Sequence, residues 1–130
     1  MAGSFSDYLE DKLLKHAFTN TTYTPAATMY VGLYTAAPTD AGGGTQVSGG
    51  SYARVSVAFT VSGTSTLCTN SAAVEFTAAT ASWGTIVAVG VFDASTAGNL
   101  LAWADLTVSK TIDTGDIFRI PTGDLDITLS

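Results

Sequence analysis

A chain of 130 residues is long enough for one domain with its own core and too short for two ordinary ones. Its single cysteine, Cys68, excludes an internal disulfide and a multi-cysteine zinc site, and a net charge of −6 argues against binding nucleic acid or an anionic membrane surface. Only 12% of residues are charged against 46% hydrophobic, yet no apolar run approaches the roughly 20 residues of a membrane span, so the sparse charge points to a surface partly covered by other subunits.

Residues 4–18 carry the one helical pattern. Ser4 or Ser6 supplies the cap, Asp7, Glu10 and Asp11 fall in the first turns, and Lys12, Lys15 and His16 fall late, each sign at the helix end that favours it. Acidic residues also stand where a secretion signal would place its basic region. Phe5, Leu9, Leu13 and Ala17 recur every four residues as an apolar stripe, widened by Leu14 and Phe18. Residues 19–25, with β-formers, Asn20 and Pro25, end the helix. A helix this short is marginal alone in water, so it packs either on its own domain or on another subunit.

Beyond Pro25 the pattern alternates. Met29, Val31 and Leu33 alternate with Tyr30, Gly32 and Tyr34, and Ala53, Val55, Val57, Phe59 and Val61 form the cleanest half-buried strand. Ala72, Val74 and Phe76 mark a further strand. Residues 86–92 are apolar on both faces and read as a central strand covered from both sides. Residues 100–106 follow, with Leu101 and Trp103 on one face. Residues 117–120 and 125–129 close the chain as a hairpin across the turn Pro121-Thr122-Gly123-Asp124. Short strands parted by Gly, Asn, Asp and Ser clusters predict a mainly β domain over residues 1–130: an antiparallel β-sandwich, jelly-roll-like, over residues 26–130, with the amphipathic helix at its N-terminus.

Residues 38–50 contain Gly42-Gly43-Gly44 and Ser48-Gly49-Gly50 without apolar periodicity, and read as a loop, secondarily as an arm ordering on a neighbour. No lysine and no strand-to-helix context accompany these glycines, so they do not cradle phosphate.

Chemistry-bearing constellations are sparse. His16, the one histidine, sits near a helix end and reads as a surface residue. Cys68 lies in no motif and reads as a small apolar side chain. Asp113-Thr114-Gly115 matches the loop in which aspartic proteases share a proton between two carboxylates. Here Lys110-Thr111 precedes it in place of an apolar strand and the chain ends soon after, so it reads as a turn. Asp93, Asp105, Asp116, Asp124 and Asp126 fall mostly at strand ends, without calcium-loop spacing. No catalytic residue, metal ligand or cofactor site is assigned. Tyr23, Tyr30, Tyr34, Tyr52, Trp83 and Trp103 leave a sugar-stacking platform open as an alternative.

Several ordered stretches carry a resemblance. They are Ser6-Asp7-Tyr8-Leu9-Glu10 with Leu13-Leu14, then Met29-Tyr30-Val31-Gly32-Leu33-Tyr34 leading into Pro38-Thr39-Asp40, then Ser51-Tyr52-Ala53-Arg54-Val55. Asn70-Ser71-Ala72-Ala73-Val74-Glu75-Phe76, Trp83-Gly84-Thr85-Ile86, Gly90-Val91-Phe92-Asp93-Ala94 and the stretch from Gly115 to Leu125 complete the series. In this order they resemble small virion proteins of tailed bacteriophages, a group labelled tail-fibre proteins in mycobacteriophages. The resemblance implies a non-enzymatic virion component, assembled in the bacterial host cytoplasm, whose partners are capsid or tail subunits and copies of itself, a trimer being the usual arrangement of such surface proteins. The absence of heptads or internal repeats favours an accessory head decoration (cement) or tail-surface subunit over a long fibre. A fibre-associated receptor- or carbohydrate-binding module, with a host glycan as partner, is the other reading. The candidate subunit contacts are Phe5, Leu9, Leu13 and Phe18 on the helix, Gly43 in the loop, and the aromatic Tyr52 and Trp103.

Overall fold

The computed structural model describes residues 4–61 and 66–128. The elements in chain order are β1 (Ser4–Phe5), α1 (Asp7–Phe18), β2 (Met29–Ala36), β3 (Thr45–Gln46), β4 (Val55–Val57), β5 (Phe59–Val61), β6 (Leu67–Asn70), β7 (Val74–Glu75), β8 (Gly84–Phe92), β9 (Leu100–Ile112), β10 (Arg119–Ile120) and β11 (Asp126–Thr128). The main sheet runs β1-β9-β8-β2-β3, with β4 also pairing with β2; β11-β6-β5 and β10-β7 form smaller sheets, and every pairing is antiparallel. Alternate residues of β2 and β8 (Val31 and Leu33, Val89 and Val91) pack with Ala104 against Val74, Phe76, Phe118, Ile120 and Leu125, which makes a β-sandwich as the alternation predicts. The central strand is β8, held between β9 and β2.

Four departures from the sequence reading have local causes. The helix starts at Asp7 and not at residue 4, because Ser6 takes the extended cap conformation while Ser4 and Phe5 pair with Trp103 and Ala102. The alternating run through residues 53–61 is two strands: β4 pairs with β2 and β5 with β6, so the chain changes sheets at Ala58, whose carbonyl accepts from the Ser71 amide at 2.9 Å. That is how sandwich corners are turned. The final hairpin is not formed, since β10 pairs with β7 and β11 with β6; Pro121-Asp124 is a turn that carries the chain between sheets. Leu129, expected to end the last strand, lies outside the described residues. The segment at residues 38–50 is pinned and not loose: Thr39 and Gly42 exchange two backbone bonds of 2.9 Å, β3 joins β2, and Val47 is buried in the core.

Two devices organise the interior. Asn70, 1% exposed, donates to the carbonyls of Ala72 (2.9 Å) and Pro121 (3.0 Å) and accepts from the amides of Gly123 (3.1 Å) and Leu125 (2.9 Å). All four side-chain valences are used, so one residue of β6 fixes the turn that leads to β11. Beside it, Phe76 meets Tyr52, Trp83 and Phe118 at centroid distances of 6.1, 6.4 and 5.8 Å, and Trp83 Nε1 donates to the Gly50 carbonyl at 2.9 Å. The Gly50 carbonyl thus satisfies the indole N–H, as a buried indole requires.

Candidate interaction surface

The helix is fastened at one end. Ser6 Oγ accepts from the Leu9 amide at 3.2 Å, capping the helix, and donates to the Leu100 carbonyl at 2.6 Å, which ties the cap to β9. The Ser6 and Asp7 amides donate to the carbonyls of Leu101 and Asp40, both at 2.8 Å, and Trp103 Nε1 donates to Asp40 Oδ1 at 2.8 Å. Phe5, Leu9, Leu13 and Trp103 are half-buried around this attachment. Among the described residues the far end has no such hydrogen bonds to the sandwich. No helix residue is fully buried, Leu14 is 59% exposed and Phe18 81% exposed. Thr19 and Thr21 close the last turn onto the Lys15 carbonyl, Asn20 turns the chain in the left-handed region, and His16 Nδ1 accepts from the Tyr23 amide at 3.1 Å. His16 is therefore a helix-end residue, as expected.

On the outer face of the main sheet, Gly32 of β2 stands opposite Gly90 of β8. A Cβ on Gly32 would come within 2.9 Å of the Phe92 ring, and one on Gly90 within 2.9 Å of the Tyr34 ring, so the paired glycines make the floor on which these two rings lie. Arg54 closes the assembly from above. Its guanidinium sits 3.6 Å over the Phe92 ring and donates to the carbonyls of Ala94 (2.9 Å) and Ala97 (2.8 Å) and to Gln46 Oε1 (3.3 Å). Asp93 braces the same loop by accepting from the Asn99 amide at 2.7 Å and its side chain at 3.0 Å. Burial lowers the Arg54 pKa from its ordinary value, against the opposing influence of Tyr52, Tyr34 and Asp93, and burial raises those of Tyr34 and Tyr52. Nothing in the sequence reading singled out Arg54. The available signal was an arginine at an outward position of an aromatic-rich sheet, in a chain with only five Lys and Arg.

A groove of about 250 Å³ lies at the opposite end of β9, lined by Leu106, Val108, Lys110, Phe118, Arg119, Ile120, Pro121 and Asp124, among others. It exists because β9 bulges: Ala88 faces Asp105 and Ile86 faces Lys110, so residues 106–109 arch away from β8 and leave Val108 71% exposed. Among the described residues no strand pairs with the outer edge of β9 beyond Trp103.

The remaining candidates fall as follows. Gly43 is exposed on the pinned loop, with open space around it. Tyr52 belongs to the interior: its ring packs on Phe76 and Trp83, and its hydroxyl accepts from the Leu33 amide at 2.9 Å. Tyr34 and Trp83 are buried and Trp103 is engaged by Asp40, so the six aromatics do not assemble into one exposed platform. Asp113-Thr114-Gly115 is a turn, with the Asp113 amide donating to Asp116 Oδ2 at 2.9 Å and the Gly115 amide to the Ala79 carbonyl at 2.7 Å. Cys68 is half-buried in β6, and burial pushes its thiol pKa up, away from the reactive thiolate. No helix among the described residues is long and apolar enough to cross a membrane.

A search of curated proteins returned no match. The family model described as Podophage GP4 fiber I protein gp80 matches residues 4–128, nearly the whole chain. The chain belongs to this family, and is a phage fibre-type structural protein of the virion.

Proposed function

We propose that this member of a phage fibre family is a non-enzymatic subunit that works by adhesion, joining copies of itself and neighbouring virion proteins on the tail surface. The observation that carries this reading is the helix: it is anchored to β9 through its cap, while Leu14 and Phe18 are held out in solvent at its far end. An exposed phenylalanine at the tip of a fixed helix costs solubility and adds nothing to its own core, which favours a contact role. Head decoration would use the same adhesive physics. The fibre description of the family favours the tail. A carbohydrate-binding role has less support, because Tyr34 and Trp83 are buried and the Trp103 indole is bonded to Asp40.

Cryo-electron microscopy of intact particles carrying an epitope on the exposed Gly43 loop tests the placement. Label on the tail or its fibres is expected. Label on the head lattice would transfer the role to decoration, and particles without label would remove the chain from the virion.

A further inference from the structure

We propose that the groove beside the β9 bulge receives the free end of α1 from a second copy of this chain, Phe18 entering between Val108 and Phe118 with Leu14 at the groove's rim. The inference rests on the reading that the subunit self-associates, and adds to it which two surfaces meet.

Three observations converge on this pairing. First, exposed large apolar residues stand on both surfaces: Leu14 and Phe18 on the helix, and Val108 in the groove, with Ile117 next in the chain to the groove residue Phe118. The groove's volume of about 250 Å³ falls below the roughly 300–1,000 Å³ of ligand pockets and suits one inserted side chain better than a free ligand. Second, charge is complementary. Glu10, Leu14 and Phe18 stand one above another at i, i+4 and i+8, and Asp7 and Asp11 flank the acidic half of that stripe. The groove offers Lys110 and Arg119, two of only five cations in a chain of net charge −6. Among the described residues Lys110, Asp7 and Glu10 form no ion pair, and the Arg119–Glu75 pair is long, at 3.7 Å, with both side chains more than half exposed. Lys15 is paired with Asp11 at 3.0 Å, Lys12 lies 5.5 Å from the Tyr8 ring, and Asp124 is the one acidic residue lining the groove. Third, the contact is not made within one copy, because Phe18 is 81% exposed while its own groove is open.

Helix tip and groove are different patches, so the contact is head-to-tail unless two copies exchange tips across a two-fold axis. Such contacts close into rings or run on as filaments. One inserted side chain and a charged rim bury far less than the roughly 1,200–2,000 Å² of a stable pair, so the contact holds only where ring closure engages every copy twice.

Directed disulfide trapping tests this with the full chain in a Cys68→Ala background. Phe18→Cys and Val108→Cys chains are co-expressed and oxidised, with light scattering of the unmodified protein in parallel. Both new cysteines replace exposed residues, so folding is not at risk. A cross-linked dimer that requires both variants is the expected result. Self-linking of Phe18→Cys, or linking to a Ser56→Cys control on another surface depression, would overturn the groove assignment. An oligomer by scattering with no Phe18–Val108 link would likewise overturn the groove while leaving self-association standing. A 13.3 kDa monomer at every concentration, again without a link, would remove both.

Discussion

The turn around Asn70 and the tip of α1 are built in opposite ways. Around Asn70 every polar valence is used and the neighbouring apolar side chains are 1–2% exposed. At the helix tip an aromatic ring is 81% exposed and the last turn is closed only by local bonds to Lys15 and His16. The first region makes the domain fold. The second contributes little to folding and is carried by it. On the proposed function the exposed tip serves contact, so substitutions in the two regions should separate stability from assembly.

Asn70→Ala is the severest test. It removes four hydrogen bonds and strands the buried Leu125 amide, while the Gly123 amide keeps the Asn70 backbone carbonyl at 3.1 Å. With about 1 kcal/mol for each lost bond and about 1–3 kcal/mol for the stranded amide, partly recovered by relaxation, urea unfolding should lose about 3–5 kcal/mol. A loss under about 1 kcal/mol would show that the turn does not depend on this residue. Arg54→Ala, which removes the ring contact and the bonds to Ala94, Ala97 and Gln46, should cost about 2 kcal/mol. Arg54→Lys should recover only the share due to charge over the Phe92 ring, since an ammonium cannot reproduce the guanidinium fork. Ser6→Ala removes the cap and leaves the Leu100 carbonyl without its donor; about 1 kcal/mol is expected, with faster hydrogen exchange of α1 amides and unchanged exchange in β8. Equal acceleration in both elements would mean that helix and sandwich unfold as one unit. A smaller, distributed effect is set by pH. Burial raises the pKa of Tyr23, Tyr34 and Tyr52 above the ordinary 10.0, so above that pH the folded state keeps protons that the unfolded chain releases. The stability these groups confer is complete below about pH 10 and declines as pH rises further, which denaturant midpoints across alkaline pH would follow. The lowered pKa of Arg54 acts in the opposite sense.

Much of the fold was legible because burial imposes a local period. The alternation in residues 29–34 and the two-faced apolar run in residues 86–92 correspond to β2 and the central β8. The sheet change at Ala58 was not legible, because period two continues through a corner and carries no record of which strand pairs beside it. β6 escaped for the opposite reason. Leu67-Cys68-Thr69-Asn70 has no apolar alternation, and its place is held by the hydrogen bonds of Asn70. On the candidate surface, the stripe of the helix was visible as a period of four, while its division into an attached start and an exposed tip depends on Asp40 and Leu100, distant in sequence. Tyr52 reads as a contact from sequence because aromatics mark interfaces and interiors alike; its neighbours Phe76 and Trp83 place the ring in the interior. The groove arises from a bulge that no periodicity announces.

The smallest expected effect on stability carries the most weight. Phe18→Ser alters a residue that touches little of its own domain, so the unfolding free energy should stay within about 0.5 kcal/mol of the parent. Particles assembled with this chain as the only source of the subunit should then lack it, while the parent chain is incorporated. Parent-like incorporation of Phe18→Ser, or a stability loss of several kcal/mol, would contradict the account: the first would show that the tip is not a contact, the second that it belongs to the core.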